Sequence, residues 1–339
     1  MKLSPFRRRS CRSLSATSLL VFAMAVAPVA QNPDVKTATH QPPPYWAYAV
    51  DPPAAASRPE PVSNAPQHVP GSTASFTLAQ IGDLYTAPDW HPDAHPPMPD
   101  IVGHGRKPDV YACGYCHLPN GLGRPENSSL AGLPADYIVQ QMAGFKSGAR
   151  KSSVPADLPV AAMIAYETKA NPHEIQSAAA YFSALQPKPW IRVVETRTVP
   201  KTHVAGWMLV VSKPVTREPI GQRIIETPEN LERTELRDDT SGFIAYVPVG
   251  SLQKGRALVT TGGAGKTIAC AMCHGAGLKG LGNLPPLAGR SPSYLVRQLY
   301  DLQNGTRTGT AAQLMQAPVA HLTLDDMIAI AAYTASLHP

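Results

Sequence analysis

Residues 113–150 read CGYCHLPNGLGRPENSSLAGLPADYIVQQMAGFKSGAR, and residues 270–307 read CAMCHGAGLKGLGNLPPLAGRSPSYLVRQLYDLQNGTR. The two stretches align without a gap at an offset of 157, which matches Leu130, Ala131, Gly132, Tyr137, Val139, Gln141, Gly148 and Arg150 to the same residue types. A second block aligns at an offset of 152, with MIAYETKANPHEIQSAAAYFSAL from Met163 lying over MQAPVAHLTLDDMIAIAAYTASL from Met315. The change of offset places five extra residues in the first copy's connection. The chain therefore carries one structural unit twice.

Each copy opens on a cysteine pair followed directly by histidine: Cys113, Cys116 and His117, then Cys270, Cys273 and His274. Four of the five cysteines fall in these pairs, Cys11 lying in the N-terminal segment; in an exported chain four also suit two disulfides, and a Cys-x-x-Cys pair suits a zinc site or a dithiol redox centre. The adjacent histidine separates these readings. In Cys-x-x-Cys-His the two thiols bond the vinyl groups of a c-type haem, and the imidazole reaches the iron from the same helical turn. Two such motifs in one chain predict two covalently attached haems. The pairs also lie too far apart for the roughly 15–20-residue spacing of a zinc ribbon.

Local signals outline the rest of each unit. Pro134 to Ser147 and Pro292 to Gln303 read as amphipathic helices, with proline at the start and Gly148 or Gly305 just past the end. Asn171 followed by Glu174, and Thr323 followed by Asp326, are N-cap signatures for a last helix that carries Ala-Ala-Tyr at Tyr181 and Tyr333. A haem iron that only transfers electrons needs a sixth ligand, since an open position binds small molecules. The repeat nominates Met163 and Met315, which occupy equivalent positions in loops before the last helix. Met142 has Leu299 as its counterpart and reads as packing. For the first iron alone, Met98, His91, His95 and His104 are rivals.

The N-terminal thirty residues follow the plan of an export signal, with Lys2, Arg7, Arg8, Arg9 and Arg12 ahead of the apolar run LLVFAMAVAPVA, residues 19–30. That run is too short to span a bilayer. Removing residues 1–30 takes away five of 30 basic residues and none of the 24 acidic ones, so the remainder balances at 25 against 24. No basic stripe interleaved with aromatics appears, so the composition points to no nucleic acid. Nor does the sequence hold a nucleotide site: Gly262 to Thr267 imitates a phosphate loop, but the motif needs glycine at position 260, where Thr260 stands.

These residues resemble the class I cytochromes c, and within them the diheme electron carriers of bacterial periplasms. The resemblance covers about residues 98–186 and 250–339 and rests on Cys-x-x-Cys-His, on Leu-Ala-Gly…Tyr…Gln…Gly-x-Arg, and on a methionine before an Ala-Ala-Tyr helix. It implies a small helical fold around each haem, with histidine and methionine on opposite faces. It also implies a proline carbonyl bound to the non-ligating nitrogen of the haem histidine. Pro285 matches that position in the second copy, whereas Ser128 stands there in the first.

The expected architecture is mainly α. It comprises a signal peptide (1–30), a Pro-rich arm (31–97), a first cytochrome c domain (98–186), a strand-containing insert (187–249) and a second cytochrome c domain (250–339). GWMLVVSKP and SGFIAYVPVG supply the insert's β-like runs, and its charged middle, ETPENLERTELRDDTSG, reads as solvated surface. Periplasmic electron transfer between redox partner proteins, a dehydrogenase or a terminal oxidase, is the leading function. The alternatives are a cytochrome subunit of a larger dehydrogenase or oxidase complex, which can be membrane-associated, and a diheme peroxidase-type enzyme. A thiosulfate-oxidising enzyme with a cysteine-ligated iron is disfavoured, because attachment consumes all four cysteines outside the signal.

Overall fold

The computed structural model describes residues 42–50 and 64–339. The expected signal peptide and parts of the arm lie outside the described residues. In chain order the helices are α1 (Leu78–Ile81), α2 (Asp100–Gly103), α3 (Cys113–His117), α4 (Ala135–Ser147), α5 (Leu158–Ala165), α6 (Pro172–Ala184), α7 (Leu231–Glu235), α8 (Ser251–Thr261), α9 (Ala271–His274), α10 (Pro292–Gln303), α11 (Thr310–Gln313), α12 (Gln316–Val319) and α13 (Leu324–Ser336). Seven strands lie between the helical halves: β1 (Ile191–Thr196), β2 (Thr198–Pro200), β3 (Thr202–Ala205), β4 (Met208–Val211), β5 (Arg217–Pro219), β6 (Ile225–Pro228) and β7 (Phe243–Pro248).

The helix signals act where the sequence placed them. Helix α4 stops at Gly148, whose φ of 73° is the left-handed conformation that glycine adopts without strain. Helices α6 and α13 each open on a complete capping box, Asn171 with Glu174 and Thr323 with Asp326. In the second half α8 crosses α13 so closely that a Cβ on Gly255 would lie 2.0 Å from the Ala329 carbonyl oxygen. The corresponding packing in the first half uses the single turn α2 against α6. That shorter entry helix is the main asymmetry between the two copies.

The insert contains more strand than its two apolar runs announce. Strand β7 is central, parallel to β1 (Ile191 opposite Phe243) and antiparallel to β6 (Ile225 opposite Tyr246). Its buried residues alternate as Phe243, Ala245 and Val247. Phe243 and Trp190 join the core of the first half, whereas Val247 and Ile224 join that of the second. One sheet thus contributes to both cores.

The charged middle of the insert is solvated only in part: Glu229, Glu232 and Glu235 are exposed, but three of its carboxylates are drawn inside. Glu226, Asp238 and Asp239 are 3%, 2% and 4% exposed. Glu226 is buried because its Oε2 accepts from Ser291 Oγ (2.9 Å) and from Ser293 N and Oγ (3.2 and 2.6 Å) at the start of α10. Carboxylates can be buried where fixed donors replace water, and the donors here come from a segment some 65 residues away.

The described part of the arm is docked. Ala47 and Tyr48 enter the second core, where Arg297 Nη1 donates to Ala47 O (2.5 Å) and Tyr48 OH to Asp301 Oδ1 (3.3 Å). Trp90 is 1% exposed and donates from Nε1 to Leu236 O at 2.8 Å.

Lys266, the lysine of the false phosphate loop, holds Asp326 Oδ2 at 2.9 Å, while Lys254 holds Oδ1 at 2.7 Å. Burial raises the Asp326 pKa, but these ammonium groups and the Thr323 cap outweigh it and hold the carboxyl well below its ordinary 3.8. Because the folded-state value is depressed, the resulting stability is present above about pH 4 and is lost as pH falls through the lower folded value. Asp326→Asn should therefore cost about 1–3 kcal/mol near neutrality in denaturant titrations, with the difference from wild type shrinking below pH 3.

Candidate functional site

Cys113 and Cys116 lie one turn apart on α3, followed at once by His117; Cys270 caps the N-terminus of α9, which carries Cys273 and His274. The four thiols form no disulfide. Burial pushes Cys113 well above its ordinary value, and Cys116 and Cys270 up to about 11. Such thiols are protonated, which is the reverse of what a dithiol redox centre requires. Among the described residues, no three metal-binding side chains converge at either pair as a zinc site would need.

The histidines share a geometry. His117 Nδ1 lies 2.7 Å from Ser128 O, and His274 Nδ1 lies 2.9 Å from Pro285 O. Ser128 thus does through its backbone what Pro285 does in the second copy. With Nδ1–H donated to a carbonyl, Nε2 carries the lone pair that a metal takes. Burial lowers both pKa values, that of His117 to about 4, and so keeps the imidazoles neutral.

The first motif opens onto a cavity of about 480 Å³ lined by Cys113, Cys116, His117, Met142 and Met163, among others. That volume lies within the roughly 300–1,000 Å³ of cofactor pockets, and the mostly apolar wall with thiols and imidazole at one side suits a haem. Met163 is on helix α5 instead of the loop expected for it, since the five extra residues of the first copy allow α5 to form where the second has only α11 and α12. Met142, read as packing, also lines the cavity. Met98, His91, His95 and His104 do not line it. In the second half Met315 is the N-cap of α12 and packs against the core, in a loop tied to the entry of the motif by Thr267 Oγ1 donating to Pro318 O (2.7 Å).

Two features of the site were missed in the sequence. The β3–β4 hairpin turns through Gly206 (φ 55°) and Trp207 (φ 64°), and Trp207 lines the first cavity from the insert. A two-residue turn of this type needs positive φ at both positions, so the tryptophan is held in a conformation unusual for a bulky residue. The second feature is the contact between the copies. Arg150 Nη2 donates to Tyr294 OH (3.0 Å) and Gln298 Oε1 (3.4 Å), while Arg307 Nη2 donates to Tyr137 OH (2.8 Å) and Gln141 Oε1 (3.0 Å). Arg150 and Arg307 also pair through their backbones. The matching Tyr, Gln and Arg of the repeat are therefore reciprocal contacts about a local two-fold, and α10 brings Tyr294, Gln298 and Asp301 to the wall of the first cavity. The only sequence signal for this was the identity of those positions in both copies.

Residues 252–338 match the family model for cytochrome c, which indicates covalently bound haem c. A thiosulfate dehydrogenase electron acceptor from Thiomonas intermedia (strain K12) is 26% identical over 234 residues, 68% of this chain and 80% of the relative. Cytochrome c4 of Azotobacter vinelandii is 25% identical over 255 residues, 72% and 92% of the two chains. The solved structure of reduced recombinant cytochrome c4 from Pseudomonas stutzeri has a TM-score of 0.43 at 19% identity, covering 67% of this chain and 93% of that one.

The reciprocal contacts predict energetic coupling between the halves. In a double-mutant cycle, Arg150→Met and Tyr294→Phe should show a coupling of about 0.5–3 kcal/mol by equilibrium unfolding. Strict additivity would mean that the contact carries no stability.

Proposed function

We propose that this chain is an electron-transfer protein with two tandem cytochrome c domains, one haem c on Cys113 and Cys116 and the other on Cys270 and Cys273. His117 and His274 would each hold an iron through Nε2, with Met163 and Met315 as the second ligands. Bound haem supplies a one-electron iron couple; the protein supplies neither acid nor base. Its residues keep the imidazoles neutral and oriented, enclose the first site with Trp207, and join the two sites across the Arg150–Arg307 contact. That reciprocal contact carries the reading, because it makes the α10 helix of one unit a wall of the other's cavity. Two such sites in one body suit passage of single electrons, and no substrate pocket is called for.

The relative named as an electron acceptor of thiosulfate dehydrogenase supports a dehydrogenase as the donor. The signal-like sequence of residues 1–30 supports exported, periplasmic residence. Among the described residues no helix is long and apolar enough to cross a membrane. For docking, the exposed apolar residues Ile268, Met272 (72% exposed), Leu281 and Leu314 flank the second motif and its methionine in sequence.

Mass and pyridine haemochrome assays should find two haems, and Cys113→Ser/Cys116→Ser should remove one. The wild-type spectrum should be low-spin throughout. Met163→Ala and Met315→Ala should each turn one haem high-spin, and Met142→Ala neither. A high-spin shift from Met142→Ala with none from Met163→Ala would reassign the first ligand.

Glu167, half-buried in the wall of the first cavity, should make its potential respond to pH. Desolvation raises its pKa from 4.5 to about 7, against the hydrogen bond from Tyr111 N. An anion beside the site favours ferric iron, so one of two midpoint potentials should fall as pH rises through 7 and flatten in Glu167→Gln. The same raised pKa means that its contribution to stability is full below about pH 4.5 and is lost as pH rises through 7.

A further inference from the structure

His91, Asp238 and Asp239 form a cluster that no part of the electron-transfer reading uses. None of the three lines the first cavity. His91 lies in the arm, and the two aspartates lie near the end of the insert's charged segment. Their ligand-type atoms all fall within 4.8 Å of one another. His91 Nε2 is 3.2 Å from Asp238 Oδ1, a hydrogen bond, and 3.9 Å from Asp239 Oδ1, which is too long for one.

Asp239 is the informative member. It is 4% exposed, and among the described residues its Oδ1 has no hydrogen-bond partner. Leaving a charged oxygen buried in that state is expensive, and where native structures do so an ion or water commonly completes the group. Nearby cations are otherwise engaged: Arg233 Nε donates to Asp238 Oδ2 at 2.7 Å, and His95 Nε2 pairs with Asp89 at 3.2 Å. Burial raises the Asp239 carboxyl to about 6, with His91 the chief opposing influence, as expected of an anion short of positive charge.

We propose that His91 Nε2, Asp238 Oδ1 and Asp239 Oδ1 form a binding site for one divalent transition cation of the zinc class, separate from the haem sites. An imidazole with two carboxylates favours such an ion over calcium or magnesium, which take oxygen donors. A tetrahedral ion with bonds of about 2.0–2.1 Å holds its ligand atoms roughly 3.3 Å apart, so the His91–Asp238 pair is already at that spacing and Asp239 has to close on both; water takes the fourth position. The supports are already built. Thr240 N (3.0 Å) and Oγ1 (2.8 Å) hold Asp238 Oδ1, and Asn120 Nδ2 holds the Asp239 carbonyl at 2.5 Å. Trp90 bonds Leu236 O next to the cluster, and Arg237 stacks 3.5 Å over Tyr115 of the first Cys-x-x-Cys-His turn. The ion would clasp the arm to the insert against that turn.

The holoprotein, stripped with a chelator and titrated with Zn²⁺ against a chromophoric competitor, should bind one equivalent with a rise in Tm. His91→Ala and Asp239→Asn should each weaken it at least about tenfold. His203→Ala, which removes an exposed histidine facing Ser212, should leave it intact. A wild-type protein with no saturable equivalent, or an equivalent that survives both substitutions, overturns the proposal. Zinc-edge anomalous scattering from wild-type crystals grown with Zn²⁺ decides the matter without any variant. A peak between His91 and Asp239 supports the site, and density there without one refutes it.

Discussion

Two guanidinium groups in the joint between the halves organise this molecule. Arg150 and Arg307 pair backbone to backbone, and each sends its side chain to a tyrosine and a glutamine of the opposite copy. Neutral oxygens can satisfy buried guanidinium groups only if they are held in place, and here they are held by α4 and α10, the helices that also wall the cavity. The orientation of one unit therefore depends on the integrity of the other. Arg297 extends the same principle by donating to Ala47, Pro125 and Glu126, which belong to the arm and to the first half.

The insert and arm serve this joint more than they serve as tethers. A sheet whose central strand gives Phe243 to one core and Val247 to the other fixes both halves at once. Its hairpin brings Trp207 to the first cavity, and its buried carboxylates are used where donors from distant segments meet them. The asymmetry between the copies has the same origin. The first unit, with a one-turn α2, borrows shelter from the insert, whereas the second has the full-length α8 packed on α13.

Much of the site was legible because its chemistry is local. Cys-x-x-Cys-His is a property of one helical turn, and the capping boxes at Asn171 and Thr323 depend on residues three apart. The glycines at 148 and 305 end their helices through their own backbone preference. The segment from Glu226 to Asp239 was misread at its buried carboxylates for the opposite reason. Its composition is that of a solvated stretch, and what buries it comes from Ser291, Ser293, His91 and Asn120, which no neighbouring residue announces. Met142 and Met163 could be ranked by the repeat, but that both line one cavity is a fact of helix packing.

By itself the sequence determined the duplicated unit, the thiol and imidazole positions and the ends of the long helices, because each of these is set by spacing within a turn or two. Tertiary structure alone decided which faces of the two units meet, that the described part of the arm docks, and that a hairpin tryptophan and several carboxylates are drawn inside. Those outcomes rest on contacts between residues 65 to 253 positions apart, whose formation depends on every intervening element being folded.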